Sequence, residues 1–278
     1  MASKRMTLGL KYCYCTRLGK PARSIMTRPF ITALGGLYMD SALSVKRIEG
    51  FVRSNNIDMN EYAQRSYRSF NDFFTRSIKP EARPIDRDPD TLISPCDGYM
   101  SAYRISGDSV FSIKDSYYNI EDLVGGSSIA GEYLNGTCLV LRLGVENYHR
   151  YCYIDDGFKS GNHRIPGRYH PVQPIVVRKQ PVFVQNTREY TVLNTKNFGT
   201  VTQIEVGACL VGRICNHHES CIIHRGEEKG FFEFGGSTIV LLFKEGTVDI
   251  PQEVFDATLS DKEAIVKYGA AIGRKAGC

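Results

Sequence analysis

Three side chains that could act on one another are spread along this chain: a carboxylate at Asp97, an imidazole at His149 and a hydroxyl at Ser237. Ser237 directly follows Gly235-Gly236 in the stretch Lys229-Gly230-Phe231-Phe232-Glu233-Phe234-Gly235-Gly236-Ser237-Thr238-Ile239-Val240. Two apolar, strand-like runs flank the glycines, so the pattern alone reads first as a hairpin with a Gly-Gly turn. The order Gly-Ser also permits a reaction. Gly236 has no side chain, so its carbonyl is open to close approach and its backbone tolerates strained conformations. Ser237 Oγ could attack that carbonyl and shift the acyl group from nitrogen to oxygen, provided a base takes the hydroxyl proton. β-Elimination of the ester would release the upstream chain ending at Gly236 and leave dehydroalanine at 237. Hydrolysis with loss of ammonia would then leave a pyruvoyl group. A ketone capping a new N-terminus condenses with a substrate amine and draws electrons from its α-carbon.

The other candidates are less specific. Asp97 lies in Ser94-Pro95-Cys96-Asp97-Gly98, and Asp-Gly is first a turn signal, although a carboxylate held in a tight turn can orient a histidine. His149 sits in Tyr148-His149-Arg150-Tyr151-Cys152, after the apolar run 137–143 and Asn147. Taken alone, such a histidine is more often structural. Gly207-Ala208 and Val211-Gly212 supply small residues where strands, or a strand and a ligand, approach closely. Cys209, Cys215, His217, His218, Cys221 and His224 form a sequence cluster whose spacings match no zinc signature. The intervals of six equally place the three cysteines on one face of extended chain, and no metal is assigned. Nine cysteines without a Cys-x-x-Cys pair, and without a secretory signal, point to reduced thiols in a cytosolic setting.

These residues need elements to position them. At 278 residues, with 42% hydrophobic and 23% charged content, the chain can build one large domain or two modest ones and is not disordered. A net charge of +5 suits an anionic surface, and no basic run or aromatic motif marks nucleic acid as a partner. No stretch reaches the roughly 18–20 apolar residues that cross a bilayer. Residues 23–61 carry Ile31, Leu34, Leu37, Tyr38, Leu43, Val45, Ile48, Phe51 and Val52 at helical spacing, with Lys46, Arg47 and Arg53 among them. Such a face either packs on the protein's own core or lies in a lipid interface. An aromatic segment at 69–80 leads into a connector kept extended by Pro80, Pro84 and Pro89. The boundary is expected there, between a helical region 1–66 and a domain 67–278. Beyond residue 91, runs at 137–143, 174–177, 182–184 and 200–206 read as strands, and the tail 252–267 as a final helix. The expected class is α+β, a β-rich barrel or sandwich catalytic domain with N-terminal amphipathic helices.

Together the pieces resemble the phosphatidylserine decarboxylase family. The resemblance rests on the Phe-rich segment 70–84, Ser94-Pro95-x-Asp97-Gly98, Tyr148-His149-Arg150, Asn186-x-Arg188-Glu189, Val206-Gly207-Ala208 with Val211-Gly212, and Phe232-Glu233-Phe234-Gly235-Gly236-Ser237-Thr238, in that order. It implies self-cleavage between Gly236 and Ser237 into a β chain 1–236 and an α chain 237–278. These would form a heterodimer, with a homodimer left open. It also implies a pyruvoyl cofactor made from Ser237, and decarboxylation of phosphatidylserine to phosphatidylethanolamine by a peripheral protein on the cytoplasmic face of a membrane. Asp97 matches the family aspartate of self-cleavage. His149 matches the first histidine of a His-Arg-x-His pattern, an acid/base for decarboxylation. The second histidine is replaced by Cys152. Three outcomes follow from that departure: His149 serves both steps with Asp97 orienting it, Cys152 substitutes as a thiolate, or processing is slow or lost. Arg150 and Lys229 are candidates to meet phosphate. A pyruvoyl decarboxylase of a soluble amino acid and an unprocessed binding scaffold stand as alternatives.

Overall fold

The runs 137–143 and 237–243 are apolar at nearly every position because the sheet they build is covered on both faces. The computed structural model describes residues 2–63, 66–106, 110–113, 116–126, 128–177, 179–208, 213–235 and 237–277. In it the two runs are neighbouring strands of a nine-stranded antiparallel sheet. Its order is Cys221–Ile223, Gly157–Lys159, Arg188–Thr195, Gly199–Val206, Ser237–Phe243, Thr137–Leu143, Gly98–Arg104 and Ala264–Val266, with His163–Ile165 also pairing with Arg188–Thr195. The order has two ends, so the sheet is open and the α+β fold is a sandwich, not a closed barrel.

Alternation sorts the side chains between two cores. Leu139, Leu141, Ile239, Leu241 and Phe243 pack on one face with Tyr151, Cys152 and Phe232, which come from a three-stranded sheet of Ile214–Asn216, Glu228–Phe232 and Arg150–Cys152. Cys138, Val140, Val240 and Leu242 pack on the other face with Leu10, Tyr14, Val176 and Phe183. The N-terminal region is helical but broken: Ala2–Cys15, Lys20–Met26, Pro29–Asp40, a 3-10 turn Ala42–Arg47, and Ile48–Asn55, which ends at Asn56 in a left-handed conformation. Segments on either side of residue 66 are stitched together. Lys79 N–H donates to Glu61 O, Ala63 N–H donates to Ser77 O, and Phe51 packs with Phe70, Phe73 and Phe234.

Several sequence expectations are corrected. Glu228–Phe232 and Ser237–Phe243 do not form a hairpin; each pairs elsewhere, in different sheets, so the chain passes from one layer to the other between Phe232 and Ser237. Residues 174–177 and 182–184 fall in short helices, Pro174–Val177 and Val182–Gln185, rather than strands. Their β-branched composition is a weak prior, and a short apolar run does not distinguish a strand from a buried helical turn. The final helix stops at Leu259, where Asp261 turns the backbone to φ 60°, and the chain continues as the edge strand Ala264–Val266. Cys215 and Cys221 lie on strands of different sheets and share no face, while Cys209 lies outside the described residues. Among the described residues no group of three His, Cys, Asp or Glu side chains could hold a metal ion.

Candidate active site

Ser237 opens the central strand, with Leu143 as its partner on one side. On the other side Val206 pairs with Thr238, which brings Gly207 alongside Ser237. The serine is fully buried, and its Oγ has no hydrogen-bond partner among the described residues. A buried hydroxyl without a partner is costly, on the order of 1–3 kcal/mol, so its persistence suits a group kept for reaction. Gly235, two residues upstream, has φ 140°, in the region that favours glycine. Gly236 lies outside the described residues.

His149 is set at the same end of the sheet by three connections. The strand 137–143 runs from Leu143, beside Ser237, into a turn in which Asn147 N–H donates to Gly144 O and Gly144 N–H donates to Asn147 Oδ1. His149 O accepts from Phe232 N–H at 2.9 Å. The imidazole lies against Phe74, ring centroids 4.1 Å apart, and Phe74 also contacts Phe234 at 5.1 Å. Its Nδ1 is 3.0 Å from the Asn147 carbonyl oxygen. A carbonyl only accepts, so Nδ1 carries the proton and Nε2 presents a lone pair. Nε2 is buried and has no partner among the described residues. Burial pushes the His149 pKa down to about 3, with Arg76 adding to the effect and the Asn147 hydrogen bond and Asp97 opposing it. The ring is therefore neutral at physiological pH, in the tautomer a general base requires.

Asp97 shares this end of the sheet but does not hold His149. Arg83 grips it with two hydrogen bonds, Nε to Oδ1 at 2.8 Å and Nη2 to Oδ2 at 2.7 Å, and Tyr268 N–H donates to Oδ1 at 2.9 Å. Lys267 Nζ stands 3.7 Å from Oδ2. Burial disfavours the Arg83 charge, but its hydrogen bonds to Asp97 and Glu61 outweigh that and raise its pKa above the ordinary value. The expected orienting role thus falls to the Asn147 carbonyl. Cys152 lies beside the aspartate turn, its N–H donating to Pro95 O and its Sγ 3.9 Å from Ser94 O. Burial pushes its thiol up to about 12, against smaller opposing effects of Tyr268 and Arg225, so this site opposes a thiolate at neutral pH.

The two cations suggested for phosphate are otherwise engaged. Lys229 is fully buried, with Nζ 2.8 Å from Glu205 Oε1 and 2.7 Å from Asn216 Oδ1. Arg150 donates to Thr75 O and to Glu228 Oε1.

Comparison with known proteins decides the family. The sequence model described as "Phosphatidylserine decarboxylase" matches residues 70–274. The chain belongs to the phosphatidylserine decarboxylase family. It is 43% identical over 266 residues to "Phosphatidylserine decarboxylase proenzyme 2" of Clostridium acetobutylicum, covering 95% of this chain and 91% of that protein. A "Phosphatidylserine decarboxylase proenzyme" of Clostridium botulinum is 39% identical over 272 residues, 96% of this chain and 92% of its own. That of Clostridium perfringens is 38% identical over 276 residues, 96% and 94% respectively. These names do not favour the soluble-amine or unprocessed-scaffold alternatives.

Three residues that position this decarboxylase-family site were not singled out from the sequence. Arg83 reads as a surface cation between prolines, although its side chain is only 5% exposed. Asn71 hides in the aromatic segment, yet its Oδ1 accepts from Phe234 N–H at 3.0 Å and its Nδ2 donates to Asp40 at 2.8 Å. Phe74 reads as core, and only its contact with His149 reveals its place. A polar residue inside an aromatic run is the one signal that could have found Asn71.

Proposed function

We propose that this chain is a proenzyme that cleaves itself between Gly236 and Ser237 and then decarboxylates phosphatidylserine to phosphatidylethanolamine at a membrane surface. The observation that carries the reading is that Ser237 Oγ and His149 Nε2, at the same end of the sheet, are both buried and without a hydrogen-bond partner among the described residues. In processing, Nε2 accepts the proton of Ser237 Oγ as the oxygen attacks the Gly236 carbonyl. Asn147 holds the ring by Nδ1 throughout, so the base needs no change of tautomer. Asp97 keeps the Arg83 cation in place and lends a weak negative field to His149. Residue 237 then carries the pyruvoyl group covalently, and its buried, unpaired oxygen fits that origin. When formed, the group supplies an electron sink for the carbanion left by loss of CO2. The same Nε2 is the proton carrier available for the substrate carbon, and the apolar wall of Phe74 and Phe234 excludes water from the exchange.

Among the described residues no helix is long and apolar enough to cross a membrane. The reading places the protein peripherally, on the cytoplasmic face, through the helical region 1–66. Leu18, Ile25, Phe30 and Leu37, which are 57–79% exposed, support that attachment.

The test is the intact mass of freshly purified protein beside Ser237→Ala. A blocked fragment beginning at residue 237, absent from the variant and sensitive to hydroxylamine, is the expected result. A single full-length mass from the parent under native conditions would overturn the reading.

A further inference from the structure

A cavity of about 500 Å³ opens among the N-terminal helices and the loop before Arg188–Thr195, lined by Lys20, Arg23, Ser24, Arg168, His170, Gln180 and Gln185. Its charge is of one sign. Among the described residues no carboxylate lines it, and none lies within ion-pair distance of Lys20, Arg23 or Arg168. Two independent contacts make it a built site. His170 is 3% exposed, its Nδ1 2.8 Å from Tyr14 Oη and its N–H donating to Asn186 Oδ1 at 2.8 Å. Tyr169 N–H donates to Thr27 O, which ties the loop to the helix Lys20–Met26. Two of the cations, Arg23 and Arg168, bear on the His170 ring. Burial, then Arg23 and Arg168, push its pKa down to about 4, so it stays neutral and adds no repulsion.

Three cations and two amide side chains around a concave wall suit a diffuse anion with several oxygens, such as a phosphodiester. The rim is apolar. Leu18 and Ile25 flank Lys20 and Arg23 in sequence and are 79% and 57% exposed, which suits an anion that arrives with acyl chains.

Strand parity puts this cavity and the Ser237 side chain on opposite faces of the main sheet. Thr187 N–H donates to Arg168 O, Gly207 N–H donates to Thr187 O, and Gly207 lies alongside Ser237. Three strand spacings therefore separate Arg168 from Ser237, roughly 14 Å between backbones. In phosphatidylserine three covalent bonds of about 1.5 Å each join the serine α-carbon to phosphorus, so the reacting lipid's phosphate stays within about 5 Å of that carbon. Ser237 also shares the parity of Ile239 and Leu241, on the face covered by Tyr151 and Phe232. The cavity belongs to the layer of Tyr14, Val172 and Val176 that covers the opposite face.

We propose that the Lys20–Arg23–Arg168 cavity is a second headgroup site, which seats the phosphodiester of an anionic phospholipid next to the one being decarboxylated. The site rests on the reading of a membrane-surface enzyme, but vesicle binding needs neither cleavage nor turnover, so the two fail separately. The experiment is co-sedimentation of the full chain with phosphatidylcholine vesicles, with and without phosphatidylglycerol. The variant is Lys20→Glu/Arg23→Glu/Arg168→Glu, and the control, with the same charge change, is Lys196→Glu/Lys262→Glu/Arg274→Glu.

The expected result is phosphatidylglycerol-dependent binding that falls at least about tenfold in the cavity variant and no more than about twofold in the control. Equal losses in both would mean diffuse electrostatics and overturn the proposal. So would binding that ignores phosphatidylglycerol, or displacement by inorganic phosphate as effective as by soluble short-chain phosphatidylglycerol, which would make it a free-phosphate site. A KM for soluble short-chain phosphatidylserine that rises in step with the loss of vesicle binding would assign the cavity to the reacting headgroup and also overturn it.

Discussion

His149 is held by one nitrogen and left free at the other, and each half of that arrangement has a measurable consequence. On the proposed reading the free Nε2 is the base for processing, and Cys152, a buried thiol pushed up to about 12, takes no part in the proton transfer. His149→Gln keeps an amide for the Asn147 carbonyl but offers no proton acceptor, and should slow cleavage at least about 100-fold. Cys152→Ser should cleave at the parental rate. Denaturing gels over time after synthesis distinguish the two, and slow cleavage in the serine variant alone would return the role to the thiol. The depressed proton affinity is also a statement about stability. The unfolded chain takes up a proton at this ring as pH falls through 6.5, while the folded chain resists until about 3. The contribution is therefore whole above pH 6.5 and drains away as pH falls toward 3. At pH 4 the loss is about 3 kcal/mol. In uncleavable Ser237→Ala protein, urea unfolding at pH 7 and pH 4 should show a pH penalty larger by that amount than in the same protein carrying His149→Gln. An equal penalty in both would mean that His149 is solvated.

At the scale of elements, the Asp97 turn is fastened to the connector by an ion pair that closes the gap between the helical region and the sheet. Arg83 and Asp97 are both almost fully buried, whereas the Glu61 side chain is 35% exposed. Removing one partner of a buried pair strands the other, and Arg83→Met should cost about 3–5 kcal/mol. Glu61→Gln, at the wet end, should cost under about 1 kcal/mol. Thermal unfolding of the two variants checks the ratio, and similar small losses would show that the pair is solvated in solution. The strands 137–143 and 199–206 were legible because short runs of β-branched and other apolar residues lie there between turn residues, and the helical N-terminus was legible from its 3.6-residue spacing. The helices at 174–177 and 182–185 were not, because four apolar residues fit either conformation and tertiary packing chooses. Of the candidate site, Ser237, His149 and Asp97 were singled out by their chemistry and by the family's motif order, although the structure pairs Asp97 with Arg83 rather than His149. The grip of Arg83 on Asp97 and of the Asn147 carbonyl on His149 was not, since one depends on a side chain 14 residues away and the other on a main-chain oxygen that no sequence letter records.

The whole molecule is built so that the proposed cut does not divide it. The segment 237–278 supplies the central strand Ser237–Phe243, all seven residues buried, with Thr137–Leu143 on one side and Gly199–Val206 on the other. It also supplies Ala264–Val266 at one edge of the main sheet, and Ala271–Lys275 between Thr91–Ile93 and Val248–Asp249 in a smaller one. A strand hydrogen-bonded along both edges and packed on both faces has no route out short of global unfolding. Processing should therefore leave a heterodimer that co-migrates on gel filtration at any protein concentration and separates only in denaturant. Folding is a different matter. In the precursor the central strand is tethered to its neighbours, and closing the intervening loops costs little more for a long loop than for a short one. After cleavage the same strand must find its slot from solution, with a translational cost that depends on concentration. Ser237→Ala protein should thus refold from urea on dilution, while processed protein at the same concentration should refold more slowly, in a concentration-dependent step, or aggregate through the two exposed strand edges. Concentration-independent recovery of processed protein at the rate of the uncleaved variant would show that residues 1–236 fold with the slot already formed.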